Sequence, residues 1–152
     1  MKSIVAVYDM HKEAVNAVRK LNDNNFPMNH VSLAGKAEVV GDHVHIKSLE
    51  PMKNAPAFIG AGAGTIIGLL TGIGAFAIPG FGFLYGAGAL VGIVGGFDLG
   101  IVSGGLITIL ASLGIDRDEV VEYQKHLEKG KFLVIVNGSE KEIGDAKKIL
   151  NI

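Results

Sequence analysis

From Ala55 to Ile115 the chain carries a single charged side chain, Asp98. All 14 Lys and Arg and the other 14 of the 15 acids lie on the two flanks, which therefore sum to zero. A chain partitioned in this way cannot present one evenly polar surface. The flanks supply an ordinary solvated exterior, and the middle requires an apolar cover, from protein or from lipid. Glycine numbers 22, about twice the usual share, and mean hydropathy is +0.40.

Within the middle the glycines fall at steps of four: Gly60, Gly64, Gly68 and Gly72, then Gly88, Gly92, Gly96, Gly100 and Gly104. Pro79-Gly80 and Gly82 separate the two rows. On an α-helix this step keeps the glycines on one face and leaves a flat groove where a second helix packs closely, the small-xxx-small geometry of membrane helix pairs. The pattern therefore predicts a glycine-zipper helical hairpin over 55–115, with these nine glycines as helix-packing and oligomerisation positions.

Lipid and protein compete to cover that hairpin. Each interior glycine costs a water-exposed helix about 1 kcal/mol relative to alanine, whereas in a bilayer a helix is one of only two backbone forms that satisfy their own hydrogen bonds. Ala55–Ile78 is 24 residues without a charge, enough to cross about 30 Å of hydrocarbon. Phe76, Phe81, Phe83 and Tyr85 gather at the bend, and Lys47, Lys53 and Arg117 flank the open end. That distribution favours a membrane-embedded homo-oligomer with both termini cytoplasmic. The alternative is a cytoplasmic homo-oligomer or particle that buries the hairpins in its interior. Asp98 reads either as a polar interior site of the oligomer, or as a neutral hydrogen-bonded carboxyl or a helix cap where the helix breaks after Gly95-Gly96.

The flanks, 1–54 and 116–152, read as two parts of one α/β domain. Lys2–Tyr8 is a short apolar, β-branched strand. Asp9 is placed to cap a helix over His11–Asn24, which carries Ala14, Val18 and Leu21 on one face. His30–Gly35 reads as a strand, and Gly41-Asp42 as the turn of a hairpin over Ala37–Ile46. Capping boxes at Asp116–Glu119 and Ser139–Glu142 open helices reaching Lys129 and Leu150, with the strand Lys131–Val136 between them. The order is βαββαβ(α), which is ferredoxin-like with one added helix. In such a domain the last strand returns beside the first, so the insert must begin and end on the same side.

Several chemistries lack their signatures. The chain has no cysteine, and its net charge of −1 carries none of the basic excess of a nucleic-acid binder. Met1–Asp9 has no signal-peptide pattern. Gly72-x-Gly74-x-x-Ala77 fits a relaxed dinucleotide fingerprint, but Pro79-Gly80 breaks the helix that fingerprint needs, and no Walker A sequence occurs. His43 and His45 share a strand face without a third ligand in view, His11 and His126 read as helix-surface residues, and no nucleophile elbow is present. No catalytic residue, cofactor, metal or small-molecule substrate follows from these residues.

Three stretches carry a family resemblance: Ser3-Ile4-Val5-Ala6-Val7-Tyr8-Asp9 followed by Glu13-Ala14-Val15; Phe76-Ala77-Ile78-Pro79-Gly80-Phe81-Gly82; and Tyr123–Val136 with Leu127 and Gly130-Lys131. In these the chain resembles the general stress protein 17M-like family of small bacterial proteins. The resemblance implies a bacterial origin and a stress-response role, and it brings no catalytic residue to transfer; with a bacterial origin, the membrane reading places the chain in the inner membrane and the alternative places it in the cytoplasm. Together these readings predict a non-enzymatic protein whose partners are itself and a lipid bilayer.

Overall fold

A computed structural model describes residues 2–36, 57–60, 73–78, 82–88 and 107–152. They form a mixed α+β architecture built on one six-stranded antiparallel sheet. In chain order the elements are β1 (Lys2–Tyr8), α1 (His11–Asp23), β2 (Val31–Lys36), β3 (Ala57–Gly60), β4 (Ile73–Ile78), β5 (Gly82–Gly88), α2 (Arg117–Glu128), β6 (Phe132–Gly138) and α3 (Glu140–Leu150). A short 3₁₀ turn over Met28–His30 precedes β2, and 107–112 is helical. The spatial order of the strands is β1-β6-β2-β5-β4-β3.

The last strand sits at the centre of the α/β body. β6 runs antiparallel to β1, with Val5 opposite Ile135, and antiparallel to β2, with Leu33 opposite Val134. β1 and β2 are therefore parallel to each other, joined through α1, with β6 filling the gap between them, a split βαβ unit. The sequence Phe132-Leu133-Val134-Ile135-Val136 explains this position, because an unbroken apolar run suits a strand covered on both faces. Phe132, Val134 and Val136 pack with Val15, Val18 and Leu21 of α1 and with Ile143, Ala146 and Leu150 of α3. Leu133 and Ile135 pack on the other side with Ile109, Leu110, Leu113 and Ile115 and with Val120 and Leu127 of α2. The body is thus helix, sheet, helix in three layers.

Two expectations are corrected. The last strand does return beside β1, but it lies between β1 and β2, so the sheet order is not established as ferredoxin-like; the expected hairpin over 37–46, with His43 and His45, lies outside the described residues. The helical hairpin is corrected more deeply. Of its described parts, 57–60, 73–78 and 82–88 are strands and 107–112 is helical. A continuous helix over Ala55–Ile78 is therefore not what forms. β4 pairs with β5 from Ile73 opposite Ala87 to Ile78 opposite Gly82, so the chain reverses between two strands, between Ile78 and Gly82. The physical reason is that a four-residue step returns to the same face of a strand as well as of a helix. Glycine weakens a helix by about 1 kcal/mol per residue, and the intervening Ile73, Phe76, Ile78, Phe83 and Tyr85 are β-formers. Among the described residues no helix is long and apolar enough to cross a membrane.

Local signals fix the ends of the other elements. Ser139 caps α3 by accepting a hydrogen bond from the Glu142 amide, at 3.3 Å, while Glu142 Oε2 accepts from the Ser139 amide at 2.7 Å. Gly130 closes α2 in the left-handed region at φ 84°. The cap of α1 is Met10 rather than Asp9, and its amide donates to Glu13 at 3.3 Å. Gly35 of β2 is required by close approach, since a Cβ there would lie 2.3 Å from the buried Phe132 ring. Gly35→Ala is expected to cost about 1–3 kcal/mol by overpacking, read as a lowered thermal midpoint, with Phe132→Leu in the same chain recovering part of the loss.

Candidate functional site

Of the residues singled out by sequence, Gly60 ends β3 opposite Ile73 and Gly88 ends β5 opposite Ser32, with φ 78°. Neither stands on a helix, so the helix-packing role assigned to these two does not hold. Gly64, Gly68, Gly72, Gly92, Gly96, Gly100, Gly104 and Asp98 lie outside the described residues. Gly74 and Gly86 face each other across β4 and β5, and Gly86 faces Ala34 across β5 and β2. The small residues thus run across the sheet rather than along a helix.

The described polar groups gather in three places. At the end of β1 an open cleft of about 520 Å³ is lined by Tyr8, Asp9, Glu13, Lys20, His126 and Lys131, among others. Lys131 Nζ lies 3.3 Å from Asp9 Oδ1. Burial, and then the nearby Glu13 carboxylate, raise the Tyr8 phenol above its ordinary value. His126 Nε2 is 3.9 Å from Glu122, and its Nδ1 is buried without a hydrogen-bond partner. Both signs of charge line this cleft, so it selects neither anions nor cations. Among the described residues no three His, Asp or Glu side chains converge as metal ligands.

The second place joins the turn before β2 to the start of α3. His30 Nδ1 lies 3.6 Å from Glu142 Oε1, while the other carboxylate oxygen of Glu142 is held by the amide and the hydroxyl of Ser139. Those bonds to Ser139, with a smaller contribution from His30, hold the Glu142 carboxyl below its ordinary value. The third place ties three segments together. Ser3 Oγ donates to the Leu113 carbonyl at 2.8 Å, and Asn137 Nδ2 donates both to Ser3 Oγ, at 2.7 Å, and to the same carbonyl. Gly114 follows at φ 81°, where a Cβ would meet Ser3 Oγ at 2.6 Å. These groups fasten helices to the sheet; they do not assemble a nucleophile with a base.

His11 departs from its expected place on a helix surface. It is 3 % exposed and its ring centre lies 5.3 Å from that of Phe132. The long-range links of Ser3 to Asn137 and of His30 to Glu142 left no trace in local sequence, because each joins residues more than a hundred positions apart.

Comparison with known families, curated proteins and solved structures gave no match.

The Glu142 junction has a defined pH signature. A carboxyl whose folded value is depressed contributes stability that is complete above its unfolded value and is lost as pH falls through the folded one. Lowering pH from about 7 to about 3 is therefore expected to reduce the thermal midpoint, and Glu142→Gln is expected to flatten that dependence. Circular dichroism melts of both chains read the difference. Ser139→Ala, which removes the cap, is expected to cost about 1 kcal/mol.

Proposed function

We propose that the chain is a non-enzymatic, self-assembling structural protein, and that the uncharged segment 55–115 is its assembly element. One observation carries this reading. The strands added to the body by that segment read AFIG, IGAFAI and GFLYGAG, and among the described residues β3, the outermost of them, is an edge without a charged residue. Folded proteins protect open edges with lysine, proline, bulges or a covering element. An uncharged, glycine-rich edge is the composition of a surface that is covered when the protein is at work. Copies of the same segment are the simplest cover, and they supply the apolar surroundings that 55–115 requires. The bacterial stress setting follows from the family resemblance and belongs to this proposal in the same way.

A second reading has its own observation: the charge-free run 55–78, with basic residues only beyond the segment's two ends, also suits contact with lipid. Fractionation separates the two. Expressed protein washed with alkaline carbonate and run on size exclusion with and without detergent is expected to give a discrete high-mass species without detergent. Release from the membrane pellet by detergent alone would establish the lipid reading instead. Gly64→Leu with Gly68→Leu is expected to reduce the assembled fraction several-fold, and an unchanged elution profile would remove the glycine rows from the assembly.

A further inference from the structure

We propose that Asn137-Gly138, the last two residues of β6, is a site of self-modification: the Asn137 amide converts to an acid when the end of β6 opens, and the chain keeps a permanent mark of that opening.

This is the one Asn-Gly pair in the sequence, and the fold gives each half a separate reason to be there. Asn137 Nδ2 donates to Ser3 Oγ, at 2.7 Å, and to the Leu113 carbonyl, to which Ser3 Oγ also donates, at 2.8 Å. An amide nitrogen carries two protons and so serves both acceptors. Gly138 admits the cap of α3, since a Cβ there would lie 2.8 Å from Glu142 Oε2 and 2.9 Å from Glu142 Cβ. Packing on both sides therefore sets a backbone nitrogen unshielded by any Cβ directly after an asparagine amide.

The chemistry of that pair is intramolecular. The Gly138 backbone nitrogen attacks Asn137 Cγ, the new N–C bond closes a succinimide ring, and the Cγ–Nδ2 bond breaks. The proton of the Gly138 amide leaves with Nδ2 as ammonia. Water then opens the ring at either carbonyl and leaves aspartate or isoaspartate, with no change of oxidation state.

Two features of the folded chain hold this reaction back. In a paired strand the side chain stands off the sheet while the next nitrogen lies along it. β6 is paired here, with Ser3 opposite Asn137 and Lys2 opposite Gly138. The bonds to Ser3 and Leu113 also keep the amide turned away from the Gly138 nitrogen. Cyclisation thus requires the end of β6 to part from β1 and from Leu113. The product does not fit back. A carboxylate donates no hydrogen bond, and Ser3 has one hydroxyl proton to give, either to Leu113 or to the new acid. Of the three bonds among these groups, one survives. Isoaspartate also lengthens the backbone between 137 and 138, which takes Gly138 out of register with Lys2.

Trypsin releases 132–141, FLVIVNGSEK, in which Asn137 is the sole amide side chain, so the mass gain of amide-to-acid conversion reports on it alone. The full-length chain is incubated with and without urea at mildly alkaline pH, which helps the attacking nitrogen lose its proton. Conversion is expected to be at least about tenfold slower in the folded chain, because there it waits on local opening. Ser3→Ala is expected to raise the folded-state rate about threefold or more and to leave the rate in urea unchanged. Gly138→Ala, compared in urea where its clash with Glu142 plays no part, is expected to slow conversion, as the succinimide route requires. Asn137→Asp, which stands in for one product, is expected to lower the thermal midpoint by about 3–8 °C. Equal rates with and without urea, or an unaltered folded-state rate in Ser3→Ala, would overturn the gating. No mass gain in urea would overturn the chemistry, and Asn137→Asp melting together with the unmodified chain would overturn the lasting mark.

Discussion

The structure depends on one strand being covered from both sides. Phe132, Leu133, Val134, Ile135 and Val136 are all nearly or completely inaccessible. Burial of such side chains contributes about 1.5–3 kcal/mol each before entropy is subtracted. Five in succession give roughly 7–15 kcal/mol, as large as the whole net stability of a typical domain. β2 is also buried over Val31–Gly35, but Ser32, Ala34 and Gly35 among them bury little apolar surface. β6 therefore does more than extend the sheet: it is the surface on which α1 and α3 meet from one side, and 107–115 and α2 from the other.

That strand also explains how a chain interrupted by a long apolar segment still makes one body. β1, α1 and β2 come from the first flank, and α2, β6 and α3 come from the last. β6 enters between β1 and β2, so neither flank has a complete sheet by itself. The polar fastenings follow the same division. Ser3 reaches Leu113 and Asn137, His30 reaches Glu142, and Asp9 reaches Lys131. Apart from the bond to Leu113, which ties the first flank to the end of the 55–115 segment, each crosses from one flank to the other, and each is half-exposed or surface-placed, where its worth is small beside the apolar core. They set register and orientation on a core that already holds.

The flanks were legible because their signals are local. The apolar β-branched run of β1, the apolar stripe of α1, the Ser139–Glu142 box and Gly130 all act within a few residues, and each lies where expected or within a residue or two. The position of β6 was only half legible. Its uniform apolarity announces a doubly covered strand, but which strands it separates is decided by contacts with residues more than a hundred positions away. The middle misled for a definite reason. Four residues is a whole number of periods for a strand and nearly one turn for a helix, so glycine spacing alone does not choose between them. The residues between the glycines do choose, and in 73–78 and 82–88 isoleucine, phenylalanine and tyrosine choose a sheet. The His11 ring was misplaced because α1 is short and its first turn faces Phe132, a contact that helical periodicity cannot reveal.

A central strand covered on both faces leaves the sheet only two directions in which to grow. Growth past β2 is taken by β5, β4 and β3, all drawn from the uncharged segment. Growth past β1 stops at a strand whose interior is equally uncharged but whose ends carry opposite signs. The two edges differ in composition: β3 is drawn from the uncharged segment, whereas the two ends of β1 are tied to the body by ion pairs, Lys2 to Glu140 and Asp9 to Lys131.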